Sequence, residues 1–109
     1  MDSRLIFESS KTFLDKVEWT MGNHPDSEWH NLEINSTNHL HLIIEEFFIT
    51  ETLHVTVGRN DSFTVNKNEI YNKIKDYYCK ADFLIWNENF KKVIQFNRIG
   101  VYRTGYARN

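Results

Sequence analysis

Residues 39–58 read HLHLIIEEFFITETLHVTVG. Leu40, Leu42, Ile44, Glu46 and Phe48 fall on even positions, and Leu53, Val55 and Val57 on odd ones. A period of two is the signature of a half-buried strand. A tight turn at Thr50-Glu51 then folds the two runs into a hairpin that sets Phe48 opposite Leu53, Glu46 opposite Val55 and Ile44 opposite Val57. The two apolar faces coincide, as register demands. Glu46 alone breaks the pattern. Either a β-bulge swings it outward or it is a buried carboxylate with a function. The opposite face carries His41, Ile43, Glu45 and Phe47, with His54 and Thr56.

Working outward, residues 9–19 hold Phe13, Leu14 and Val17 at helical spacing, with Ser9 or Ser10 as a cap. Residues 21–27 contain Gly22, Asn23, Pro25 and Asp26 and read as a loop. Asp26 or Ser27 caps a short turn holding Trp29, and Asn35–Asn38 is polar and turn-like. Downstream, 63–65 is a short strand, and Asn66 or Asn68 caps a helix running to about Lys80 with Ile70, Ile74, Tyr77 and Tyr78 on one face. Residues 82–86 read as a short strand, and because Phe83, Leu84, Ile85 and Trp86 are apolar on both faces it is expected to be central. Asn87-Glu88-Asn89-Phe90 is a hairpin loop, 91–97 returns, and 101–103 forms a last strand between Gly100 and Gly105. The sum is one α+β domain over 1–109: an antiparallel sheet of about five strands with two helices packed on it.

Composition agrees. The chain has 109 residues, 15% aromatic, with one Pro and four Gly, which excludes collagen-like and linker classes. A single Cys cannot form an internal disulfide. The apolar run Leu5-Ile6-Phe7 is too short for a signal h-region, and no stretch is long enough to span a bilayer, so the expectation is a cytoplasmic protein. Charge is uneven. Residues 1–88 hold all fifteen acids and eight bases, a net of −7, whereas 89–109 hold five bases and no acid, a net of +5. Such a split marks a nucleic-acid contact or a partner surface, or the two halves neutralise one another.

Chemistry is sparse. His39 and His41 share a strand face, but in the hairpin register His54 lies six residues from His41, about 20 Å along the strand, too far for one metal. His24 and His30 lie elsewhere, so no metal and no cofactor is expected. Cys79 points away from the apolar stripe of its helix and has no His placed as base. Glu45 and Glu46 are strand neighbours on opposite faces, so they do not work as an acid/base pair. No Ser-centred elbow, P-loop or G-x-G-x-x-G occurs. Two surfaces remain. One is the outer hairpin face, where Ile43 and Phe47 are ringed by Glu45, His41 and His54. The other is the C-terminal segment, where Arg98, Tyr102, Arg103, Tyr106 and Arg108 interleave bases with rings.

The segment ADFLIWNENFKKVIQFNRIGVYRTGY, residues 81–106, with its strand, hairpin loop, returning strand and closing G-V-Y-R-x-G, resembles the C-terminal part of small bacterial immunity proteins of contact-dependent growth inhibition and related polymorphic toxin systems. The resemblance spans about a quarter of the chain. It implies a protein that is no enzyme but binds a cognate toxin domain, often a nuclease, and blocks it. It carries over no binding residues. Surface chemistry alone nominates Glu45, Glu51, Phe47, Ile43 and His54 as partner-binding, with the carboxylates entering a basic cleft. The alternatives are a small nucleic-acid-binding module using the C-terminal Arg/Tyr segment, and an α+β enzyme or ligand-binding domain pairing Glu46 with a histidine.

Overall fold

The first half of the decisive segment is a helix, and only the second half is a strand. The computed structural model describes residues 2–21, 27–31, 37–78 and 80–108, with backbone alone at Thr37 and Asn38. The elements are α1 (Ser3–Leu14), β1 (Val17–Trp19), β2 (His30–Asn31), α2 (Thr37–Phe47), β3 (Thr52–Thr56), β4 (Phe63–Asn66), a 3-10 turn (Lys67–Glu69), α3 (Ile70–Ile74), β5 (Phe83–Asn87), β6 (Lys92–Asn97) and β7 (Val101–Ala107). The fold class is α+β, but seven strands and three helices occur among the described residues, not five and two.

The hairpin of residues 39–58 does not form. Leu40, Ile43, Ile44, Phe47 and Phe48 also repeat at i, i+3, i+4, i+7 and i+8, the stripe of an amphipathic helix. A strand and a helix both bury Leu40, Ile44 and Phe48. Only the helix leaves Glu46 in water, and burying an unpaired carboxylate costs several kcal/mol. That exceeds the roughly 1 kcal/mol span of β propensities favouring a strand. Val55 pairs instead with Phe63 and Ile85.

All strand pairs are antiparallel, in the order β1-β7-β6-β5-β3-β4, with β2 also paired to β7. β6 occupies one edge of β7, so β1 and β2 share the other, opposite residues 105–107 and 101–102. The sheet is covered on both faces. On one, Leu53, Val55, Phe83, Ile85, Ile94 and Phe96 meet Leu40 and Ile44 of α2, Phe48 just after it, and Ile70 and Ile74 of α3. On the other, Trp86, Val93 and Phe90 meet Phe13 and Leu14 of α1, and the Trp86 indole N–H donates to Ser10 Oγ at 2.8 Å. β5 is central and buried on both faces, as its unbroken apolar run requires.

Boundaries moved where capping decided them. α1 starts at Ser3 because Asp2 accepts the Leu5 N–H at 2.9 Å, and it ends before Val17, which joins β1. Asn66 caps the 3-10 turn, but regular helix stops at Ile74, with irregular turns at 75–78 and 80–81. The β5–β6 hairpin turns at Phe90, whose φ is 58°, while Asn87 Oδ1 accepts from the Lys91 and Lys92 amides. Ser27 Oγ accepts from Trp29 N at 3.1 Å, as expected. The expected features at 22–26, 32–36 and Cys79 lie outside the described residues.

Candidate docking surface

α2 turns one stripe inward and another outward. Leu42, Glu45 and Glu46 follow the i, i+3, i+4 spacing on the solvent side, with Leu42 55% exposed, and Ile49, two residues past the helix end, is 83% exposed. Two carboxylates near a helix C-terminus oppose its dipole. Two lysines answer this from inside. Lys67 Nζ donates to the Phe48 carbonyl and lies 3.2 Å from Glu45 Oε2, and Lys92 Nζ donates to the Phe47 carbonyl at 2.7 Å. Lys92 also sits 4.8 Å over the Phe47 ring and 5.7 Å over Tyr106. The cations face the fold while the carboxylates face water.

Beside this stripe, a groove of about 350 Å³ runs between α2 and the β1–β2–β7 edge. Met21, Ile43 and Phe47 supply apolar wall, and Tyr102 is stacked under His30 at 5.0 Å. Glu46 is the one acidic side chain lining it and makes no ion pair among the described residues. Burial pushes the Tyr102 hydroxyl pKa up, and the Glu46 charge pushes it further the same way.

The nominated residues separate. Ile43 and Phe47 are half-buried along the groove, Glu45 is held by Lys67, and Glu51 is exposed before β3. His54 leaves the set. It is 4% exposed on the α1-facing side of the sheet, stacked on Phe90 at 4.7 Å. Its Nε2 meets the Glu88 carbonyl at 3.0 Å and its Nδ1 the Thr64 hydroxyl at 2.8 Å. A carbonyl only accepts, so Nε2 carries the proton and the neutral ring accepts from Thr64. Desolvation lowers its pKa, partly opposed by the Glu88 hydrogen bond. His54 is a structural histidine because strand alternation placed it opposite Leu53 and Val55, not beside α2. Leu42 was missed because the strand reading put it in the core, and the helical spacing was the signal that would have exposed it.

The basic C-terminal segment is largely neutralised by the fold. Arg98 pairs with Asp82 at 3.3 Å and Arg108 with Glu18 at 3.4 Å. Arg103 pairs with Glu28 at 3.1 Å, donates to Gln95 Oε1, and packs 3.8 Å and 4.6 Å over the rings of Trp19 and Trp29. Its burial lowers the guanidinium pKa, against the raising effect of Glu28. Asp82 is held below the usual carboxylate range by the Arg98 backbone and side-chain hydrogen bonds. All three arginine partners lie in the acidic part of the chain, so the sequence asymmetry is in good part folded away.

Among the described residues, no group of three or more His, Cys, Asp or Glu lies close enough to hold a metal ion, and no helix is long and apolar enough to cross a membrane. Comparison with known protein families, characterised proteins and solved structures finds no match.

Proposed function

We propose that this chain is a non-enzymatic immunity protein that binds a cognate toxin domain in the cytoplasm and blocks a basic, phosphate-accepting cleft with the outer face of α2. The observation that carries the reading is that surface: exposed Leu42 with Glu45 and Glu46 on α2 and exposed Ile49 just past its end, next to a groove whose one acid, Glu46, has no cationic partner among the described residues. Apolar anchors beside an unneutralised carboxylate fit a basic protein surface. The resemblance of residues 81–106 supports the same class. Those residues build β5, β6 and most of β7, the scaffold of the sheet, so the docking residues lie elsewhere. The ion pairs of Arg98, Arg103 and Arg108 count against a nucleic-acid module.

The test is association with the cognate toxin domain. Glu46→Lys with Glu51→Lys should slow association at least tenfold at low salt and abolish growth protection, because interface charges act first on encounter rate. Arg98→Glu with Arg108→Glu, both two-thirds exposed, should leave the rate within about twofold. Arg103 is unsuited as a control because it packs between two tryptophans. Silent glutamate reversals, or tight binding of an oligonucleotide by the chain alone, refute the reading.

A further inference from the structure

β1 and β2, three and two residues long, bring few hydrogen bonds of their own to the edge of β7. Strand alternation sends neighbouring side chains to opposite faces of the sheet. On the α2-facing side, Thr20, His30, Tyr102 and Thr104 line the groove. Their chain neighbours Trp19, Trp29 and Arg103 meet on the other side, directly behind it.

Arg103 stands in the middle of this ladder. Its guanidinium carbon lies 3.8 Å from the ring centroid of Trp19 and 4.6 Å from that of Trp29. Its Nε donates to Gln95 Oε1 at 2.7 Å, and its Nη1 donates to Glu28 Oε1 at 3.1 Å. Neighbouring β6 and Glu28 thus hold the planar head between the two rings. Gly105, the register partner of Trp19, makes room for one of them, since a Cβ there would come 2.9 Å from the Trp19 ring. β1 is registered with residues 105–107 and β2 with residues 101–102, and Arg103 falls between the two stretches.

We propose that Arg103 is a positioning residue for the docking groove. From the reverse face of the sheet it clamps Trp19 to Trp29, and so sets the outer wall that Thr20, Met21 and His30 form. A guanidinium between partly desolvated rings makes the stronger kind of cation–π contact. Lysine supplies the charge but neither the plane nor the fork. Use of the groove for docking rests on the preceding reading, whereas the clamp belongs to the free chain and is tested there.

The experiment compares amide exchange and histidine ring spectra of the full-length chain with those of Arg103→Lys, Trp29→Leu and the double variant. The Thr20 amide, which donates to the Thr104 carbonyl at 2.8 Å, should exchange roughly tenfold faster in Trp29→Leu, because Trp29 reaches β1 through Arg103. Arg103→Lys should speed it by a similar factor, and the double variant by no more than either alone, since one ladder carries both effects. Amides of β5 should stay within about twofold, which shows the fold intact. His30 is stacked 5.0 Å from Tyr102, so its ring protons should move toward free-histidine positions in Arg103→Lys. With the cognate toxin domain, Arg103→Lys keeps its charge, so association should hold within about twofold while dissociation quickens about tenfold. An unchanged Thr20 amide in folded Trp29→Leu, additive effects in the double variant, or an unmoved His30 ring overturns the clamp. Unchanged dissociation of a bound toxin overturns the positioning role. A parent chain that binds no toxin refutes the docking reading alone, and the free-chain measurements still decide the clamp.

Discussion

Phe90 combines two demands that normally conflict, and truncating it in two ways separates them. Its backbone lies at φ 58°, in the left-handed region, yet it carries a large ring that is 4% exposed. That ring sits 4.7 Å from His54, 5.5 Å from Trp86 and 5.6 Å from Phe13, so it joins the β5–β6 hairpin to β3 and to α1. Phe90→Ala removes these contacts and leaves a cavity, at about 3–5 kcal/mol. A domain of this size has about 5–15 kcal/mol in total, so the variant should fold but unfold at much lower urea. Phe90→Gly loses the same ring. Glycine, however, escapes the left-handed penalty of about 1–2 kcal/mol, which outweighs its usual deficit of about 0.5–1 kcal/mol against alanine. The common order inverts, and the Gly variant should be the equal of the Ala variant or better. Urea titrations followed by tryptophan fluorescence give both values. A Gly variant about 1 kcal/mol less stable than Ala would refute the left-handed turn. An Ala variant with the parent midpoint would refute the anchoring role.

Three further outcomes follow from the same packing. His54 has a folded-state pKa below its ordinary 6.5, so the unfolded chain takes up its proton first. Its stabilising contribution is complete above about pH 6.5 and is lost as pH falls through the folded-state value. Urea midpoints measured downward from pH 8 should show this slope, and His54→Gln should flatten it. Gly105→Ala puts a methyl 2.5 Å from Val17 Cγ1 and 2.9 Å from the Glu18 carbonyl, so β1 should separate from β7 and amide exchange there should speed while β5 stays protected. Leu42→Asp should leave melting nearly unchanged, whereas Ile44→Asp should unfold the domain, because one side chain is 55% and the other 2% exposed. Equal damage from both would restore the strand reading of this segment.

Local sequence signals are enough for the α+β class, the β5–β6 hairpin and the central place of β5. Each rests on local signals: an unbroken apolar run in Phe83-Leu84-Ile85-Trp86, a turn at Asn87–Phe90, and bounded returning strands. The sequence also identified Leu40, Ile44, Phe48, Leu53 and Val55 as core, since these face inward whichever element carries them. Only the tertiary structure decided which element that was. Residues 40–48 satisfy period two and period 3.6 together, and the tie breaks on Glu46 and on a sheet face of Phe83, Ile85, Ile94 and Phe96 that needs a helix over it. The same decision moved His54 away from Glu45 and Phe47 and brought Leu42 and Ile49 to the surface. β1 and β2, three and two residues long, have too few positions to show any period and exist because β7 offers them an edge. The pairings of Arg98, Arg103 and Arg108 with Asp82, Glu28 and Glu18 were equally illegible, because ion pairs join residues by proximity in space, and sequence spacing carries no trace of it.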